Sequence, residues 1–199
     1  HLESLWDGNK VPKAADQARQ LVADLTNTKS PIVVIGDFNS DPRDPRAKGF
    51  ANPGEQPEAS EKCPTESSLC NAYKVMREAN FTDAGPDASD PATFTWGMNA
   101  LLTGADSARR AAAKEMGNDF GFTDRLDYIF VKNGIDVLTS KIIGQAPPYG
   151  SDHAGVVSQL RITAEGSVVS EALDAHSRLP ISFWEGVGVL LLALITWRT

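Results

Sequence analysis

A short apolar segment at residues 31–35 constrains the fold more than any other feature of this 199-residue chain. Its sequence is Pro-Ile-Val-Val-Ile, and β-branched residues in an unbroken run favour a strand that is buried on both faces. Before it, residues 12–26 carry apolar side chains at helical spacing, and Pro12 suits a first helical turn. A helix followed directly by a buried strand predicts an α/β fold in which the helix packs on the sheet.

Further elements follow along the chain. A long loop rich in Pro, Gly and charge is predicted over residues 40–66, and helical spacing returns over residues 69–79. Strands are predicted at residues 93–96, 125–131, 135–143 and 155–162. Asn133-Gly134 is typical of a hairpin turn, so residues 135–143 are expected to pair with residues 125–131.

The charge balance is acidic. The formal net charge is -7 and the isoelectric point is about 4.9. This balance argues against a protein that holds nucleic acid mainly through a basic surface, but an enzyme that reaches phosphates through a bound cation is compatible with it. The length and the 41% hydrophobic content fit one folded domain.

The C-terminal segment at residues 181–197 is almost entirely apolar. Its length lies at the lower edge of the roughly 17–25 residues that span a bilayer, Trp184 and Trp197 lie near its ends, and Arg198 follows. We therefore predict a transmembrane helix over residues 181–197, a linker over residues 164–180 and a globular domain over residues 1–163 outside the cytoplasm. A buried C-terminal helix is the alternative.

The two cysteines, Cys63 and Cys70, bracket a short polar stretch. A disulfide in an exported protein and two reduced thiols are both compatible with this spacing. The spacing alone does not decide between them.

Three clusters of polar side chains stand at the edges of predicted apolar strands. They are Asp37 and Asn39, then Asp127, then Asp152 and His153. A carboxylate beside strong strand residues is costly to bury unless it is paired or binds a cation. If they converge at one end of a sheet, these groups offer carboxylates for a divalent cation and an imidazole for a phosphoryl oxygen, a set that suits phosphoester hydrolysis.

Each of these residues also has a purely structural interpretation. Asp37 and Asn39 could be turn residues, and Asp127 could form an ion pair with Arg125. His153 could be a surface histidine and Asp152 a cap. Asp127 is the hardest to explain in this way, because it is expected in mid-strand between Leu126 and Tyr128, where Asp is a poor strand former.

Four motifs occur in a fixed order: GDFN at 36–39, TFTW at 93–96, RLDYIF at 125–130 and SDH at 151–153. Together they resemble the endonuclease/exonuclease/phosphatase superfamily, which includes deoxyribonuclease I, abasic-site endonucleases, inositol-polyphosphate 5-phosphatases and sphingomyelinases. The resemblance implies a four-layer α-β-β-α sandwich of the deoxyribonuclease I-like type. It also implies Mg²⁺ as the cofactor, with Mn²⁺ or Ca²⁺ as alternatives.

The resemblance assigns a role to each polar residue. It implies that Asp37 polarises or deprotonates the attacking water and contacts the metal, and that Asn39 helps to hold the scissile phosphate. Asp152 is implied to be a metal ligand. His153 is implied to contact the phosphoryl oxygen, and Asp127 to orient its ring.

The resemblance also makes His1 the second active-site histidine. Superfamily members begin with a further half-domain that carries an Asn and a Glu of the metal site, and no counterpart precedes His1 in this sequence. The resemblance therefore implies a C-terminal part of a longer protein, with the N-terminal half missing from this chain.

The expected function is a divalent-metal-dependent phosphodiesterase, acting outside the cytoplasm on DNA or on phospholipid headgroups and anchored in the membrane by the C-terminal helix. Arg109, Arg110 and Lys114 could contact either substrate or form a solvated helix face. An inositol-phosphate phosphomonoesterase and a non-catalytic binding module on the same fold are the alternatives. No protein partner is predicted.

Overall fold

The computed structural model describes residues 1–3, 13–46, 59–65, 67–97, 107–163 and 189–193. The helices are α1 (Lys13–Leu25), α2 (Ala72–Glu78) and α3 (Ser107–Glu115), with 3₁₀ turns at Ser68–Cys70 and Pro91–Thr93. The strands are β1 (Ile32–Asp37), β2 (Thr82–Asp83), β3 (Asp127–Lys132), β4 (Ile135–Ile143), β5 (Gly155–Ile162) and β6 (Val189–Ala193). They form two antiparallel three-stranded sheets with the orders β1-β3-β2 and β4-β5-β6.

Helices α1 and α2 cover one face of the first sheet. Ala14 and Ala18 of α1 and Met76 of α2 belong to the same buried cluster as Tyr128 and Phe130 of β3. This confirms the predicted amphipathic helix and the strand that follows it. The expected burial of that strand on both faces is wrong, because Ile35 is 38% exposed. The apolar stripe of α1 meets every second residue of β3, as the two periodicities require.

The alternate residues of β3 face the second sheet. Ile129 and Val131 form a buried cluster with Val156 and Leu160 of β5. The described residues therefore show three layers in order: helices, first sheet and second sheet. These are three of the four layers that the resemblance implies.

Strand β4 does not pair with β3, and the predicted hairpin is wrong. Both edges of β3 are occupied, by β1 and by β2, so β4 pairs with β5 instead. The turn at Asn133 and Gly134 has positive φ angles of 63° and 68° and passes the chain from one sheet to the other. The Asn133 side-chain amide donates to the Thr28 and Ser30 carbonyls, 2.9 and 3.0 Å away, which fixes this turn beside the entry to β1.

The predicted strand at residues 93–96 is also wrong. Pro91–Thr93 is a 3₁₀ turn, because the Asp90 carboxylate accepts the Ala92 N–H at 2.9 Å and Pro91 suits the first position. Trp96 takes part in isolated β-bridges to Asp124 and His153 instead of a regular strand. Asp127 is the first residue of β3 rather than a mid-strand residue, so it lies at the end of the sheet where a polar site can form.

The predicted C-terminal helix is contradicted where the structure describes it. Residues 189–193 form β6, which pairs antiparallel with β5. The free edge of β5 offers unpaired N–H and C=O groups, and a Val- and Leu-rich segment suits a strand as well as a helix. Within the described ranges no helix has the length and apolarity to cross a membrane. The rest of residues 181–197 and the linker at 164–180 lie outside those ranges.

Cys63 and Cys70 form a disulfide, with their Cα atoms 5.5 Å apart and both residues buried. It fixes the end of the long loop to the 3₁₀ turn before α2. The side chains of Arg109 and Arg110 lie outside the described residues, so the basic patch on α3 stays a prediction.

Gly85 leaves room for the buried side chain of Arg125. A Cβ atom at residue 85 would overlap Arg125 Nη2 and lie 3.2 Å from Val156 Cγ1. Arg125 is 0% exposed, and its Nε and Nη1 donate to the Asp127 and Thr93 carbonyls at 2.9 and 3.2 Å, so the guanidinium cannot move aside cheaply.

Gly85→Ala is therefore expected to destabilise the fold by about 1–3 kcal/mol, the usual cost of overpacking a core. Gly150→Ala is the matched control, since a Cβ there meets nothing within 4 Å. Urea unfolding measures both changes. Equal stability of the two variants would contradict this role of Gly85.

Candidate active site

Two carboxylates lie side by side at the end of the first sheet. Asp37 is the last residue of β1, Asp127 is the first of β3, and the two are cross-strand partners. Side chains alternate along a strand, so Asp127 points to the same face as Ile129 and Val131, toward the second sheet. Asp37 is 3% exposed and Asp127 is 0% exposed, so both lie in a poorly solvated place.

His153 reaches these carboxylates from the segment that enters β5. Its Nδ1 lies 2.8 Å from Asp127 Oδ2, a hydrogen bond that orients the ring. Its Nε2 then lies 4.0 Å from Asp37 Oδ2. An isolated β-bridge to Trp96 and a 3.1 Å bond from its own N–H to Ser151 Oγ position the backbone of His153.

Thr95 is a functional residue that sequence reasoning missed. Its hydroxyl oxygen accepts the N–H groups of Leu126 and Asp127 at 3.1 and 3.2 Å. Its carbonyl accepts the Ala154 N–H at 2.6 Å, beside His153. Thr95 therefore holds the two halves of the Asp127 and His153 pair together. Thr95 lies inside the TFTW motif at residues 93–96, and this position was the feature of the sequence that could have indicated its role.

His1 lies on the other side of Asp37. Its Nε2 is 3.2 Å from Asp37 Oδ2, and its side chain is 49% exposed. The Leu2 N–H donates to the Asp37 carbonyl at 2.8 Å, which aligns residues 1–3 with the end of β1. The structure thus brings His1 to the site, as the resemblance implies.

Asn39 shapes the turn after β1. It has a positive φ of 46°, and its N–H donates to Asp37 Oδ1 at 2.8 Å. Its side-chain amide donates to the Leu2 carbonyl at 2.8 Å. These bonds hold Asp37 and residues 1–3 in place, and a contact of Asn39 with phosphate stays a prediction.

Burial and charge shift the proton affinities of this group. Burial, and next the nearby charge of Asp127, raise the pKa of Asp37 to about 6, although His153 and the Asn39 N–H oppose the shift. Burial lowers the pKa of His153, but the hydrogen bond and charge of Asp127 outweigh it, so the net shift is upward. The site therefore favours a protonated His153 close to a carboxylate that ionises near neutral pH.

The same residues could hold a cation. Asp37 and Asp127 each offer an oxygen atom, His153 offers a nitrogen when its ring is neutral, and these atoms lie within 4.8 Å of one another. Asp127 Oδ1 is buried and has no hydrogen-bond partner among the described residues, so it is an oxygen that a cation would satisfy. Carboxylate oxygens are the ligands that Mg²⁺ and Mn²⁺ prefer, and the donor set fits a hard divalent ion.

Asp152 is not part of this group among the described residues. It is partly buried, and its carbonyl accepts the Gly97 N–H at 2.9 Å. Its assignment as a metal ligand stays a prediction.

The sequence model of the endonuclease/exonuclease/phosphatase family matches residues 3–153. The chain belongs to this family. Membership of the endonuclease/exonuclease/phosphatase family implies a phosphoesterase or nuclease-like hydrolase, and enzymes of this family generally use divalent metals. No curated protein and no solved structure gives a significant match. The matched region contains both Asp37 and the pair of Asp127 and His153.

Proposed function

We propose that this protein is a divalent-metal-dependent phosphodiesterase that hydrolyses phosphoester bonds in DNA or in phospholipid headgroups. The pair formed by Asp127 and His153, directed at Asp37, is the observation that carries the proposal. Carboxylate, imidazole and carboxylate in this order supply an orienting group, a proton donor and a base within one poorly solvated site.

His153 acts as the donor to the phosphoryl oxygen. Asp127 accepts from Nδ1 and stabilises the doubly protonated ring, whose Nε2 then donates toward charge that develops on the phosphorus oxygens. The hydrogen bond and the charge of Asp127 raise the pKa of His153, which favours the form that carries this proton. Asp127 therefore works through the orientation of His153.

Asp37 accepts a proton from the attacking water. In the metal-free site its pKa of about 6 lies close to neutral pH, where a general base is most effective. His1 Nε2, 3.2 Å away, stabilises the carboxylate, and the Asn39 N–H fixes its orientation. A bound Mg²⁺, held by Asp37, Asp127 Oδ1 and, in this proposal, Asp152, would supply positive charge for the phosphate oxygens.

Two finer points belong to the same proposal. The Cys63 and Cys70 disulfide supports an extracytoplasmic location, since such bonds persist in oxidising compartments. Membership of the family supports the full four-layer sandwich.

The decisive experiment offers plasmid DNA, sphingomyelin and a phosphoinositide side by side to the full-length gene product in Mg²⁺, with EDTA and His153→Ala as controls. We expect hydrolysis of DNA or of sphingomyelin, its loss in EDTA and its return with excess Mg²⁺ or Mn²⁺. Turnover of the phosphoinositide alone would favour the phosphomonoesterase. No turnover by a folded protein would favour the binding module.

A further inference from the structure

A buried ion cluster lies just beyond the candidate active site. It contains three carboxylates, which are 0–1% exposed, and two arginines: Asp41, Asp44, Asp124, Arg43 and Arg46. Removing charges from water costs several kcal/mol per ion, and apolar residues of similar volume are often at least as stable in such places. Stability alone is therefore a weak explanation for this cluster. Its hydrogen bonds connect it to the chain segments that carry the site residues.

The Asp41 carboxylate joins the two chain segments that carry the site. The ladder between β1 and β3 ends at Asp37 and Asp127, and one more bond follows, from Phe38 N–H to the Leu126 carbonyl at 2.8 Å. Beyond it, Asp41 Oδ2 accepts the Arg125 N–H at 2.8 Å. A side-chain hydrogen bond thus continues the ladder beyond the two strands. It joins Asp41, four residues after Asp37, to Arg125, two residues before Asp127.

Arg125 carries this constraint directly to Asp127. Its Nε donates to the Asp127 carbonyl at 2.9 Å, so a shift of the Arg125 backbone moves the orienting carboxylate. Arg43 holds Asp41 itself, through Nε to Oδ1 at 2.6 Å and Nη2 to Oδ2 at 2.7 Å. With all of these bonds formed, Asp41 has little freedom to turn.

The cluster also reaches His153. Arg46 Nη2 donates to Asp124 Oδ1 at 2.6 Å, and the Asp124 carbonyl accepts the Trp96 N–H at 2.9 Å. Trp96 in turn forms the β-bridge to His153. All three segments of the site are therefore connected to one buried cluster.

We propose that Asp41 is a positioning residue that sets the separation between Asp37 and the pair of Asp127 and His153. This inference rests on the proposed function, because its main measure is phosphodiester hydrolysis. A misplacement of about 1 Å can cost on the order of 100-fold in rate. The predicted loss therefore falls on kcat, since Asp41 is 0% exposed and no substrate can contact it.

The test compares Asp41→Asn with Met76→Ala in the full chain, using bis(p-nitrophenyl) phosphate with Mg²⁺ at a temperature where both variants are folded. Met76 is 0% exposed in the core on the helix face, so its truncation lowers stability away from the site. We expect Asp41→Asn to lower kcat by about 10- to 100-fold with KM within about threefold, a split that simple destabilisation does not produce. Met76→Ala should lower the melting temperature and keep kcat within about twofold.

Amide chemical shifts of Asp127 and His153 give a second measure that needs no substrate. They should move in Asp41→Asn while the amides of α1 stay in place. Wild-type kcat together with unmoved shifts would overturn the inference. If the wild-type protein hydrolyses no phosphodiester, the proposed function fails, and the amide shifts then decide the positioning role by themselves.

Discussion

His153→Ala and Asp127→Asn are each expected to lower kcat by about 10²- to 10⁴-fold, the usual contribution of a positioned acid or base. His153→Ala removes the donor to the phosphoryl oxygen. Asp127→Asn leaves the ring but removes the carboxylate that lies 2.8 Å from Nδ1, so the doubly protonated ring that can donate from Nε2 is no longer stabilised. Both losses are measured by steady-state kinetics on the substrate that the side-by-side assay shows to be hydrolysed.

The two residues act as one unit, so their effects should not add. The kcat of the double variant is expected to lie within about threefold of the kcat of the less active single variant. Asp136→Asn is the matched control, because Asp136 pairs with Arg161 on the exposed side of β4 and both side chains are 48% exposed. It should keep kcat within about twofold. Additive losses, or near wild-type kcat in a folded His153→Ala protein, would contradict the assigned roles.

Asp37→Asn is expected to abolish hydrolysis and yet to stabilise the metal-free protein above pH 6. The pKa of Asp37 is about 6 in the folded state against an ordinary value of 3.8, so the folded protein holds this proton more tightly than the unfolded chain. Ionisation of Asp37 therefore lowers the stability of the folded protein. The difference between the two pKa values corresponds to about 3 kcal/mol at full ionisation, at about 1.4 kcal/mol per pKa unit. Asn avoids this cost, and its Oδ1 can still accept the Asn39 N–H.

The sign of the pH dependence follows from the same shift. The cost to the wild-type protein is absent below about pH 4, grows between pH 4 and 6, and is complete above pH 6. The stability gain of Asp37→Asn in EDTA should therefore shrink as the pH falls from 7.5 to 5, as measured by urea unfolding. Added Mg²⁺ should stabilise the wild-type protein selectively. A variant that is less stable than wild type at pH 7.5 in EDTA would refute this account.

Local patterns were enough to predict the elements that carry the site. Helix α1 and strand β1 follow from apolar spacing within about 25 residues, and GDFN, RLDYIF and SDH located Asp37, Asp127 and His153. The pairing of β4 could not be predicted in the same way. It depends on β3 having both edges occupied, and one of the occupying strands, β2, is only two residues long.

The buried cluster around Asp41 was equally beyond sequence reasoning. Residues 40–46 are rich in Pro and charge, a composition that normally indicates a solvated loop. Their burial depends on Asp124 and Arg125, about 80 residues away, because hydrogen bonds with these partners offset the loss of solvent contact. Thr95 was missed for the same reason, since nothing local shows that its hydroxyl accepts two amides of another segment.

The pair of Asp127 and His153 spans two sheets, because Asp127 begins a strand of the first and His153 precedes a strand of the second. The separation of its members is therefore set by how thick the apolar layer between the sheets is. Ile129 and Val156 contribute to that layer, and neither has any polar chemistry of its own. Changes of side-chain volume there would alter the length and strength of the hydrogen bond between Asp127 and His153. Selection could therefore adjust the rate of hydrolysis through apolar core residues, without any change to the charged residues of the site.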